Sequence, residues 1–282
     1  MVKVLLTFAL AIALNAWGNY SGLYSHKAQQ SFYNGNYNSA HHDLKKALRY
    51  SKKEANTDAE ANIYVALSEI YLQQHNFAKA EKTLEKVKLN EVSDHTKLSF
   101  VYTSLRLYNQ QQKFSEAQKF VQNFQHIIND KKLSSSLRAF CLLEQGVINA
   151  AQKKDYETPI KAAQKTLKKK SAGQIAWTQA KISHLNNDLS SALELYQEAF
   201  KHAQNHSKYW ETAEILVHIS RVYEQQNQNT LAAQNLFRAI QVYEQLDLSK
   251  AFLLNAEKWK ELTGKNDLDY KIQVKRKRME SP

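Results

Sequence analysis

One pattern recurs along this chain and constrains everything it can become. A large apolar residue follows a turn, an alanine stands three residues on, a large residue follows four later, and an apolar residue closes the pattern after three more. Tyr37, Ala40, Leu44 and Ala47 show it first, and Phe77, Ala80, Leu84 and Val87 repeat it. Phe114, Ala117, Val121 and Phe124 follow, then Leu189, Ala192, Tyr196 and Ala199. Such spacing places all four residues on one helical face. Self-similarity of this kind means stacked supersecondary units, each too small to bury its apolar face alone. Only 6 Gly and 2 Pro occur in 282 residues, where average usage gives about one in eight. Strands joined by tight turns need those residues, so helices with short polar connections are expected.

A second apolar stretch precedes each of these helices. Tyr24 and Ala28 mark the first, ending at a turn through Gly35 and Asn36. Ile63, Tyr64, Leu67, Ile70 and Tyr71 form the second, with Ser68 at the small position; Val101, Leu105 and Tyr108 form the third. The fourth carries Leu143, Gly146, Val147 and Ala150, and Pro159 then replaces the alanine, so Thr158 is expected as an N-cap of a late-starting helix. Ala176, Trp177, Ala180 and Ser183 mark the fifth. The sixth has Leu216, Ile219, Ser220 and Tyr223, followed by Ala233, Phe237 and Ile240 behind a turn expected to be one residue longer. Phe252, Leu253, Ala256 and Trp259 lie on a closing helix that Gly264 stops.

In these residues the chain resembles the tetratricopeptide repeat, a degenerate helix-turn-helix of about 34 residues. The resemblance covers residues 21–262. It implies an all-α fold: a right-handed superhelical solenoid of about six helical hairpins plus a C-terminal capping helix. The anchors Ala40, Ala80, Ala117, Pro159, Ala192 and Ala233 are spaced by 40, 37, 42, 33 and 41 residues. The excess over the family period is expected between repeats, in longer second helices or longer loops.

The two ends read differently. Lys3, an apolar run over residues 4–14 and the small residues Ala16 and Gly18 have the order of a secretory signal, placing a signal peptide at residues 1–18. The chain is therefore expected to be exported, periplasmic or secreted; an uncleaved membrane anchor or a cytoplasmic capping helix is the alternative. Residues 263–282 carry Lys271, Lys275, Arg276, Lys277 and Arg278 and are expected as a flexible basic tail able to touch an anionic surface. The net charge of +12 agrees with such contact.

Chemistry is sparse. No Gly-rich phosphate loop and no Gly-x-Ser-x-Gly elbow occur. Cys141 stands alone among apolar neighbours, and the pair His202 and His206 has no evident third ligand. No catalytic residue, metal or cofactor is expected. The resemblance instead implies a concave groove lined by the first helices, with Tyr33, Glu69, Tyr102, Arg106, Glu144, Trp177, Lys181, His184 and Arg221 facing a protein or peptide partner. Where the family's chaperone-binding members place Lys and Asn to grip a C-terminal carboxylate, this chain has Ser25 and Gln29. The reading is a non-catalytic scaffold of the bacterial cell envelope; the alternative is a cytosolic binder of nucleic acid or anionic polymer. Truncating Trp177 or Arg106 is expected to weaken capture without unfolding the array.

Overall fold

The computed structural model describes residues 20–167 and 171–280. The expected signal peptide, residues 1–18, lies outside them. Among the described residues there is no strand; they form 14 α-helices and one 3-10 turn. Two compact units divide the chain at residues 170 and 171.

The first unit contains four hairpins. They are α1 (Tyr20–Tyr33) with α2 (Tyr37–Lys53), α3 (Thr57–Gln73) with α4 (Phe77–Leu84), α5 (Asp94–Gln111) with α6 (Phe114–Asn129), and α7 (Ser135–Ala151) with α8 (Glu157–Thr166). The second contains α9 (Ala172–Leu185) with α10 (Leu189–Asn205), α11 (Tyr209–Gln225) with α12 (Asn229–Gln245), then α13 (Ser249–Thr263) and α14 (Asp269–Glu280). The helical-hairpin repeat expected from the sequence is thus the architecture of both units.

One turn design serves within and between hairpins. A residue in the left-handed region follows the helix, and the next N–H donates to a carbonyl five residues back, as from Asn36 to Ser31 (2.9 Å), Asn76 to Tyr71 (2.8 Å) and Asp188 to Ser183 (2.9 Å). Glycine fills the left-handed position at Gly35 and Gly264, but among the described residues eight others adopt it, including Ala55, His75, Asn187 and Asn227. Each costs about 1 kcal/mol for lack of glycine. That is how the chain makes so many turns with so few glycines. Side chains then start the next helix: Asn36, Asn56, Ser93, Ser134 and Asp188 each accept from a backbone N–H of the first turn.

The anchor alanines Ala40, Ala80, Ala117 and Ala192 are all fully buried, and so are Leu44, Val121 and Tyr196 behind them. Small residues let paired helices approach. Ser68 and Gly146 do this on the partner helices. The Ser68 hydroxyl donates to the Ala80 carbonyl at 3.1 Å, and a Cβ on Gly146 would lie 2.5 Å from Ile160 Cδ1. The excess repeat length sits in long helices of both kinds: α2 and α10 have 17 residues each, and the first helices α3, α7 and α11 have 17 and α5 has 18. The second hairpin differs, with an α4 of 8 residues followed by a 3-10 turn, Leu89–Glu91. Asp58 pins that connection by accepting from the Ser93 N–H (2.9 Å) and hydroxyl (3.0 Å).

Three local expectations are corrected. The sixth hairpin has no longer turn. Its anchor is Ala232, fully buried, whose carbonyl accepts from the Ser220 hydroxyl at 2.8 Å over the same 12-residue separation as Ser68 and Ala80. In the fourth hairpin α8 does start late, after five connecting residues (152–156) where the other hairpins have two or three, but Asp155, not Thr158, caps it. Its Oδ1 accepts from the N–H groups of Glu157 (3.0 Å) and Thr158 (3.2 Å), while Pro159 sits buried in the first turn. Finally, the basic segment after Gly264 is not an extended arm. Residues Asp269–Glu280 form α14 beside α13, with Leu268 and Ile272 buried. Lys271 pairs with Glu244 (2.8 Å), Lys275 with Asp247 (3.1 Å) and Arg276 with Glu257 (2.5 Å).

Candidate functional site

The nine residues expected on the groove are distributed over both units, and the structure gives them different degrees of exposure. In the first unit Glu69, Tyr102 and Glu144 are buried, while Tyr33 and Arg106 are half-buried. In the second, Trp177 is buried, Lys181 and His184 are half-buried, and Arg221 is exposed.

A polar ladder runs between the successive first helices α3, α5 and α7. The Asn62 amide donates to Thr96 Oγ1 at 3.0 Å. Lower down, Glu69 accepts from Thr103 Oγ1 at 2.7 Å and from Arg106 Nη1. Asn109 Nδ2 then donates to the Glu144 carboxylate (2.6 Å) and backbone carbonyl (3.1 Å). The Glu69 side chain keeps 4% of its surface and that of Arg106 14%, so this is a buried ion pair. Arg106 also lies over the Tyr102 ring at 5.6 Å. Burial holds the Tyr102 phenol well above its ordinary range. Asn62, Thr96, Thr103 and Asn109 were not singled out from the sequence. Their separations of 34 and 35 residues from their partners, close to one repeat, were the available signal.

In the second unit the Lys181 ammonium lies 4.3 Å from the Trp177 ring centroid. Trp177 meets Trp210 and His218 edge-on, and His218 stacks on Tyr196 at 5.3 Å. His184 shares a 3.1 Å hydrogen bond with Gln225, joining α9 to α11. Arg221 stands close enough to lower the His184 and His218 basicities. Burial dominates at His218 and pushes it well below 6.5, assisted by Arg221, Lys181 and His184. Burial likewise lowers His184 and, beside Tyr71 in the first unit, His41.

These depressed values give stability a definite pH dependence. Well above 6.5 the histidines are neutral in both states, and their contribution is fully present. As pH falls below 6.5 the unfolded chain takes up protons first, so stability is lost progressively down to the folded values. The urea midpoint should therefore drop as pH falls through and below 6.5. His218→Gln should make that drop smaller; an unchanged slope would remove His218 as its cause.

The remaining groups are plainly housed. Cys141 is buried, and burial pushes its thiol up, away from reactivity. The rings of His202 and His206 stack, and His206 Nδ1 bonds the His202 carbonyl at 2.8 Å. Among the described residues no group of three or more His, Cys, Asp or Glu is placed to hold a metal ion. No described helix is long and apolar enough to cross a membrane.

A family comparison agrees with the hairpins of the first unit. Residues 31–99 match the tetratricopeptide repeat family. That match spans α2 to α4 and the start of α5. Among solved structures the chain is similar to a signal transduction ATPase with numerous domains, a protein with a tetratricopeptide repeat sensor, from Pyrococcus horikoshii. The identity is 14% and the TM-score 0.48, over 79% of this chain and 37% of that one. A tetratricopeptide repeat protein from Parabacteroides merdae is similar at 9% identity and a TM-score of 0.44, over 91% of this chain and 99% of that one. No curated protein matches the chain.

Proposed function

We propose that this chain is a non-catalytic scaffold that holds a protein or peptide partner against the exposed polar residues of its first helices, in the bacterial cell envelope. The observation that carries it is the helical-hairpin repeat, matched by the tetratricopeptide family over residues 31–99. Repeats of this kind present continuous surfaces for partners. The envelope setting is supported by Lys3, the apolar residues 4–14 and the small residues Ala16 and Gly18.

Glu69, Tyr102, Glu144 and Trp177 are buried, so they shape the face rather than present it. In the second unit the presented groups are Arg221, Lys181 and His184, all polar and two of them permanent cations. Such a face holds carboxylates on a partner. Arg221 is exposed and makes no hydrogen bond or ion pair among the described residues, so its reversal leaves folding intact. Arg221→Glu should weaken partner capture at least tenfold, whereas Lys201→Glu on the exposed face of α10 should not; equal capture by both variants rejects this face.

A further inference from the structure

The first hairpin carries an exposed surface that the polar faces of α9 and α11 do not share. Tyr50 on α2 is stacked between two tyrosines of α1, Tyr20 at 5.0 Å and Tyr24 at 5.6 Å. Lys27 and Lys46 lie over the Tyr24 ring at 5.4 and 5.3 Å, and Lys53 over Tyr50 at 5.8 Å. Beside this column Tyr20 is 63% exposed and Leu23 49%. Large apolar side chains this exposed, adjacent and ringed by cations are a surface made for contact.

Charge is concentrated at the same place. Residues 20–53 contain six Lys or Arg and a single carboxylate, Asp43. None of the six makes an ion pair within the hairpin; Lys52 reaches Glu60 on α3 at 3.8 Å, and the rest face tyrosine rings or water. The apolar run of residues 4–14 precedes α1 in sequence, with residues 15–19 between them.

We propose that this face of α1 and α2 docks on an anionic phospholipid surface. Tyrosine suits the boundary between headgroups and acyl chains, its ring body apolar and its hydroxyl wet. Lysine stems lie along apolar surface while their ammonium groups reach phosphates. Leu23 and Tyr20 supply the shallow apolar insertion. Access to a bilayer rests on the envelope reading proposed above, in which the apolar run ahead of α1 brings the hairpin there as a leader or as an anchor. Single-stranded nucleic acid fits less well. Stacking of bases needs open ring faces, and here the tyrosines face one another with lysines over two of the three rings.

The test uses the full chain and sedimentation with two kinds of vesicle, phosphatidylcholine alone and phosphatidylcholine mixed with phosphatidylglycerol. Any partition driven by residues 4–14 is common to both, so the anionic preference is the readout. The parent should prefer the anionic vesicles. Each lysine contributes roughly fivefold near such a surface, so Lys27→Gln, Lys46→Gln and Lys53→Gln together should cut that preference on the order of 100-fold. Tyr20→Ser with Leu23→Ser, both at exposed positions, should reduce binding to the anionic vesicles about tenfold with helical circular dichroism unchanged. Equal partition of the parent on both vesicles overturns the proposal, as does full anionic preference in the lysine variant. Binding to an oligouridylate with the same lysine dependence, and none to vesicles, would reassign the face to RNA. Arg221→Glu should leave vesicle binding untouched, so failure here and failure of the partner-binding face are separate results.

Discussion

Arg106→Ala should destabilise the first unit by about 3 kcal/mol, a cost characteristic of stranding one member of a buried ion pair. Glu69 is left behind with almost no solvent of its own and one remaining side-chain donor, Thr103 at 2.7 Å. The cost is desolvation without compensation, and the attraction of the pair is not what is being measured. For that reason Glu69→Leu combined with Arg106→Met should recover most of the loss. Urea unfolding of the three variants followed by circular dichroism decides it. An Arg106→Ala protein within about 0.5 kcal/mol of the parent would mean the pair behaves as an exposed one. This replaces the expectation that truncating Arg106 weakens capture alone: any loss of partner would be mixed with loss of fold.

Trp177→Ala should cost the second unit about 3 to 5 kcal/mol, the range for emptying a large buried aromatic site. Trp177 packs edge-on against Trp210 at 6.1 Å and His218 at 6.4 Å, and it carries Lys181 on its face. Its indole N–H is buried with no acceptor among the described residues. Phenylalanine keeps the ring and removes that unpaired donor, so Trp177→Phe should cost about 1 kcal/mol. Guanidinium unfolding would show the contrast, and equal losses for Ala and Phe would assign the stability to the indole nitrogen. Here too the expectation from sequence changes, because Trp177 supports the face from beneath.

How much of this could be seen in the residues depends on the kind of signal. Ala40, Ala80, Ala117 and Ala192 were legible because a small residue held at a fixed place in an apolar spacing marks a close approach of two helices, and all four are fully buried. Ala232 was missed in favour of Ala233 because two adjacent alanines fit the spacing almost equally. The Ser220 hydroxyl bond decides between them. The basic helix α14 was hidden by its own charge. Leu268 and Ile272, four residues apart, form its buried face, too short a stripe to register against the surrounding lysines. Glu69 and Arg106 were placed on the same surface, but a repeat pattern does not say that neighbouring first helices bring those two side chains into contact. Exposure at the candidate face was likewise illegible, because residues at equivalent repeat positions, such as Arg106 and Arg221, differ only in what stands beside them. Arg106 has Glu69 opposite it, whereas Arg221 has His184 and Gln225 near it and no acid paired with it.

The most direct test of the scaffold reading is site-specific photo-crosslinking in the producing cell. A photo-reactive residue replaces Gln225, one turn from Arg221 on α11, in one variant and Lys201 in another, with Arg221 kept in both. A discrete protein adduct is expected from position 225, recovered with the cell-envelope fraction, and little or none from position 201. Equal adducts from both positions, or none from position 225 in cells where the chain is folded, would contradict the scaffold reading.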